Sequence, residues 1–138
     1  MRRAVNYAVG DRIHNTGGDF ALTRDATYDA VSKILIGIGV KHGTKRVVVC
    51  AEAVYQVLKN PGAIYGQWCS QILPDTADAL GMSYYAVCRA LGVLLDEIRG
   101  IDGGAAAKRK IGLPKNDPLI NRKDFVTRIA LLVRNKSK

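Results

Sequence analysis

The chain has 138 residues, 48% of them hydrophobic, and a formal net charge of +9 at pH 7. That is enough apolar material for one compact domain with a core of its own. Three cysteines cannot all pair within one chain, which argues against a disulfide framework and for a reducing compartment. No apolar run reaches the length of a membrane span, and the opening "MRRAVNYAVGDRI" is too polar for a secretory signal, so a soluble protein, intracellular or within a virion, is expected.

The charge is unevenly placed. Residues 99–138 hold eleven Lys/Arg against three acids, so +8 of the net charge sits there and the first 98 residues are nearly neutral. Cations gathered on one stretch suit a polyanion partner, because neutralising phosphates releases counterions. A solvated basic tail is the plain alternative. Acidic lipid fits less well, since the segment carries few large apolar anchors before Phe125.

In chain order, residues 1–24 carry Gly10, Gly17 and Gly18 without sustained periodicity and read as a flexible arm bearing Arg2, Arg3 and Arg12. Thr23 or Asp25 caps a helix starting near Ala26, with Tyr28, Val31, Leu35 and Ile38 on one face. Residues 33–49 are ambiguous: helix is the first choice, but Gly37, Gly39 and the β-branched run would also suit a hairpin turning at "KHGT".

From Thr44, a candidate N-cap, Val47, Ala51, Val54 and Leu58 repeat at helical spacing until "NPG" at 60–62. Residues 63–73 place Ile64, Trp68, Cys69 and Ile72 on one side of a short packing helix, which Pro74 ends or which gives way there to the next. Beyond residue 100, "KRKIGL" and "PLINRK" flank "PKND" as a possible β-wing or basic loop. Asp124 or Asn121 then opens a terminal helix with Phe125, Ile129, Leu132 and Val133 as its apolar stripe and Arg122, Arg128, Arg134 and Lys136 on other faces.

Residues 76–95, "TADALGMSYYAVCRALGVLL", put two apolar-patterned segments either side of Gly81–Ser83. Ala77 is small where two helices would touch, Gly81 suits a left-handed turn, Leu80 and Met82 flank it, Val87 and Ala90 face back, and Ser83 suits an N-cap. Over residues 73–92 this resembles the helix-turn-helix family of DNA-binding domains. The resemblance implies that Ser83, Tyr84, Tyr85, Cys88 and Arg89 face a major groove. Arg89 would grip phosphate or guanine and the tyrosines would bond phosphate or cover sugar. An ordinary helical corner would show the same glycine and serine.

Catalytic and metal chemistry find little purchase. The cysteines lack close C-x₂₋₄-C pairs and sit in apolar helical contexts, which reads as small core residues. His14 and His42 lie near glycines and read as loop residues, while Glu52, Asp75 and Asp78 read as surface or helix-terminus acids. Neither an enzyme nor a cofactor is expected.

The expectation is therefore a mainly α fold in three stretches: an arm at 1–24, a helical domain at 25–99 and a basic loop or wing with a C-terminal helix at 100–138. It would bind duplex DNA, as a homodimer or larger assembly and without a membrane, through Ser83, Tyr84, Tyr85 and Arg89. Lys108, Arg109, Lys110, Lys115, Arg122, Lys123, Arg2 and Arg3 would add phosphate contacts. The leading role is a transcriptional or replication regulator. The rivals are a nucleoprotein that coats or packages DNA in many copies and a helical protein-interaction module.

Overall fold

The computed structural model describes residues 23–41, 43–62, 66–111 and 121–136. Six α-helices follow in chain order: α1 Arg24–Ile38, α2 Lys45–Lys59, α3 Leu73–Leu80, α4 Tyr84–Gly100, α5 Ala105–Ile111 and α6 Arg122–Lys136. Among the described residues there is no strand, so the fold is mainly α and the stretch at 33–49 is helical on both sides of a turn. Gly39 makes that turn. At φ 116 it ends α1 in a left-handed conformation that a side chain would oppose, and its N–H bonds the carbonyls of Leu35 and Ile36.

Thr23 caps α1, its hydroxyl accepting from the Ala26 N–H at 3.1 Å. Thr44 precedes α2 in extended backbone but makes no side-chain cap bond. At the far end of the chain the Asn121 carboxamide, and not Asp124, caps α6 by accepting the Asp124 N–H at 2.8 Å.

The core is organised around α2. The stripe predicted from Val47, Ala51 and Val54 is buried, but so are Val49, Cys50, Ala53 and Val57, so the helix is enclosed on nearly every side. Helices α1, α3, α4 and α6 all pack against it. Phe125, Val126, Ile129 and Val133 of α6 share one hydrophobic cluster with Val31 and Leu35 of α1 and Leu91 and Leu94 of α4.

Enclosure of α2 overturns the surface reading of Glu52. Its side chain is 1% exposed. Such a buried carboxylate needs donors. It has them: Arg24 Nε at 2.9 Å, Tyr28 Oη at 2.5 Å and Gln56 Nε2 at 2.6 Å. Burial, and then the hydrogen bond to Glu52, push the Tyr28 phenol well above its ordinary range. A second polar tie joins the start of α2 to the end of α4, where Glu97 accepts from Arg46 Nε at 2.5 Å and from the Lys41 N–H at 3.1 Å.

Two further expectations change. The three cysteines are not alike: Cys50 is in the core, Cys88 is half-buried and Cys69 is exposed. Burial pushes the Cys50 thiol up to about 12, so it stays protonated and serves as a small apolar filler. Cys69 escapes the core because Trp68–Ile72 is one wide π-type turn, in which the Gln67 carbonyl accepts from both Gln71 and Ile72. The widened turn continues straight into α3 and accommodates Pro74, which lacks a donor and crowds a regular helix.

The β-wing fails over its described part. Residues 108–111 lie in α5, where Ala107 and Ile111 are buried and the three cations are left to the outer faces. Alanines at 105–107 favour helix, and Ile111 needs a core to enter. At the wing's other end residues 121–123 cap and open α6. The stretch between, 112–120 with Lys115, lies outside the described residues, as do 1–22 of the arm with Arg2, Arg3 and His14, and also His42 and Ile64.

Glu52→Ala strands the donors of Tyr28, Gln56 and Arg24, and urea unfolding is expected to show a loss of about 3 kcal/mol. Arg24→Ala should cost less, about 1 kcal/mol, because its side chain is 48% exposed and water replaces part of the pair. The Arg46 hydrogen bond holds the Glu97 carboxyl below its ordinary 4.5. Stability from that pair is therefore complete above pH 4.5 and is lost as the pH falls through the lower folded value. Glu97→Gln is expected to flatten the acid limb of a melting temperature against pH profile.

Candidate nucleic-acid interface

Three residues separate α3 from α4. Helix α3 stops because Gly81 turns left-handed, at φ 64 and ψ 35, which lets the Met82 N–H reach the Ala77 carbonyl at 2.9 Å. Ser83 returns to extended backbone at φ −76 and ψ 157, and its Oγ accepts from the Ala86 N–H at 3.0 Å to start α4. Ala77, Val87 and Leu91 are buried, and Leu80 and Met82 pack partly against the core beside them. The turn therefore has a fixed shape, with small residues inside it and a short loop leaving no slack.

Burial of Val87, Leu91, Leu94, Leu95 and Ile98 fixes which way α4 faces. Helical spacing then puts Tyr85, Arg89, Gly92, Val93 and Asp96 on its outward side. Tyr85 is 71% exposed and Arg89 is exposed one turn later. A planar ring and a five-donor fork thus stand together on a helix whose other side is packed. Asp96, paired with Arg99 at 3.3 Å, puts an acid on the fourth turn of the same face. The face is thus basic at its second turn and carries an ion-paired acid at its fourth.

The other residues picked from the sequence divide. Ser83 is exposed, but its hydroxyl oxygen already accepts the cap bond. Tyr84 leans towards the π-type turn: hydrogen bonding with Cys69 first, then desolvation and Cys88, push its phenol up to about 12. Its hydroxyl accordingly stays a donor at neutral pH. Lys110 lies beside Gly37 of α1, and α5 packs against both α1 and α4. Lys123 is exposed at the start of α6.

Arg122 is brought onto α4 directly. Its Nε donates to the Cys88 carbonyl at 2.8 Å, and its Nη2 stands 2.6 Å from where a Cβ on Gly92 would be. Gly92 went unread in the sequence. The available signal was its place inside an otherwise strong helical pattern, where glycine costs about 1 kcal/mol relative to alanine and calls for a reason.

Comparison with known protein families, with curated proteins and with solved structures finds no match to this chain. Among the described residues, no helix is long and apolar enough to cross a membrane.

Gly81→Val places a β-branched residue at φ 64 and is expected to lower stability by about 1–3 kcal/mol in chemical denaturation. Nothing lies within 4 Å of an added Cβ, so the loss should track backbone strain: Gly81→Asn, whose side chain tolerates left-handed backbone, should cost distinctly less.

Proposed function

We propose that the chain is a duplex DNA-binding protein that lays the outward face of α4 in a major groove and acts as a transcriptional or replication regulator. The observation that carries this reading is the rigid presentation of Tyr85 and Arg89 at the start of a helix fixed by a tight glycine turn. B-form DNA admits a helix into its major groove, whereas the deep, narrow groove of duplex RNA does not. The net charge of +9 supplies general attraction to phosphate. One short reading helix gives limited affinity, so a symmetric dimer or larger assembly is part of the proposal.

A second reading has a specific observation behind it. Arg89 is the one cation among residues 84–96, and Asp96 shares its face, so base-reading donors are scarce. A nucleoprotein that coats or packages DNA would need few of them.

Titration of specific and random duplexes across salt concentration separates these readings. A regulator discriminates between sequences by orders of magnitude, whereas a coating protein binds all of them alike and cooperatively. A protein-interaction module binds none. Arg89→Ala and Tyr85→Ala are each expected to leave thermal melting unchanged and to weaken duplex binding by about 1–3 kcal/mol. Early melting with normal binding by the folded fraction would sink the proposal.

A further inference from the structure

Arg122 reaches α4 from another helix, 34 residues along the chain from the carbonyl that it binds. The Cys88 carbonyl already belongs to the backbone ladder of α4, and a second donor on such an oxygen is normally water. Here it is a guanidinium, held by its Nε alone. Among the described residues, its Nη groups meet no hydrogen-bond acceptor, and the residue is exposed.

The space for that guanidinium exists because position 92 has no side chain. Any Cβ there would stand 2.6 Å from Nη2 and 3.4 Å from both Cζ and Nε. Glycine inside a 17-residue helix weakens it, so the sequence accepts a local cost at the point where the arginine lies down. Gly92 follows Tyr85 and Arg89 by whole helical turns on the same outward side. In effect, α6 lends this face of α4 a cation that α4 itself does not carry.

We infer that Arg122, seated over Gly92 and steered by the Cys88 carbonyl, is a pre-oriented clamp for a backbone phosphate of duplex DNA beside the α4 face. The inference rests on the DNA-binding reading above. Phosphate is the ligand and not a base edge because the third turn of a groove-bound helix lies toward the backbone, base edges being met by its first residues. With Nε occupied, the paired Nη donors remain to grip two oxygens of one phosphodiester. Fixing the fork before binding reduces the side-chain freedom that is lost on contact. A contact of this kind strengthens binding to every sequence alike.

The decisive variant is Gly92→Ala, which leaves every charge in place. Its methyl meets only the far end of a flexible side chain, so Arg122 swings aside while α4 gains a better helix former. It is expected to melt at or above the wild-type temperature and to bind specific and random duplexes about ten-fold more weakly. The slope of log affinity against log salt should shrink by about 0.9. Arg122→Ala should match it, the double variant should fall no further, and Arg122→Lys should recover little, since lysine keeps the charge without the fork. Wild-type affinity and slope in Gly92→Ala, beside weakened Arg89→Ala, overturn the clamp and leave the DNA-binding reading standing. Wild-type binding by Arg122→Lys overturns it too, and early melting of Gly92→Ala with weak binding assigns the contact to helix packing. If the wild-type protein binds no duplex at all, the reading and the clamp fall together.

Discussion

Helix α2 has almost no face left for water, yet it carries a carboxylate and a carboxamide among its buried residues. That constraint governs the arrangement around it. A buried Glu52 is tolerable only if its oxygens are met by donors in fixed positions, and Arg24 and Tyr28 of α1 meet two of its needs across the helix interface. Apolar packing between two helices permits sliding by a turn; a carboxylate with named partners does not. The register of α1 on α2 is set there, and α3, α4 and α6 close the remaining sides of a helix already held in place.

What was legible in the sequence follows from the range of each signal. Helix starts at Thr23, Ser83 and Asn121 rest on contacts within three residues, and each is made where the sequence puts a capping side chain. The left-handed turn at Gly81 is equally local. Glu52 and Cys69 were misread because burial is a property of neighbours distant in the chain. An acid in the middle of a helix looks solvated until the helices packed around it are known, and a cysteine beside Trp68 looks buried until a π-type turn rotates it outward. Residues 108–111 suited a wing by charge and punctuation, whereas Ala105–Ala107 and the burial of Ile111 favour helix.

The basic character of the C-terminal stretch gains meaning once its parts are separated. Helix α5 packs against α1, with Lys110 beside Gly37. The first residue of α6 lies instead on α4. A single charge count joins Lys110 and Arg122, but the fold sets one beside α1 and the other on α4. General attraction to a polyanion can draw on both, because screened fields sum over distances of several ångströms. Short-range contact geometry can draw only on cations that share one surface.

The two halves of α4 are packed differently. From Leu94 onward the buried Leu94, Leu95 and Ile98 and the ion pair of Glu97 with Arg46 anchor it in the domain. The earlier turns leave Tyr85 and Arg89 exposed, while Val87 and Leu91 hold the opposite side. An exposed helix face takes its precision from the rigidity of what lies beneath it. The second half is thus the anchor that fixes the direction of that face, and Gly81 fixes its origin. Gly92 falls at the junction of the halves, where α4 gives up a side chain and receives the Arg122 guanidinium from α6 in exchange. The outward surface of α4 is consequently a product of two helices, and its chemistry cannot be read from residues 84–92 by themselves.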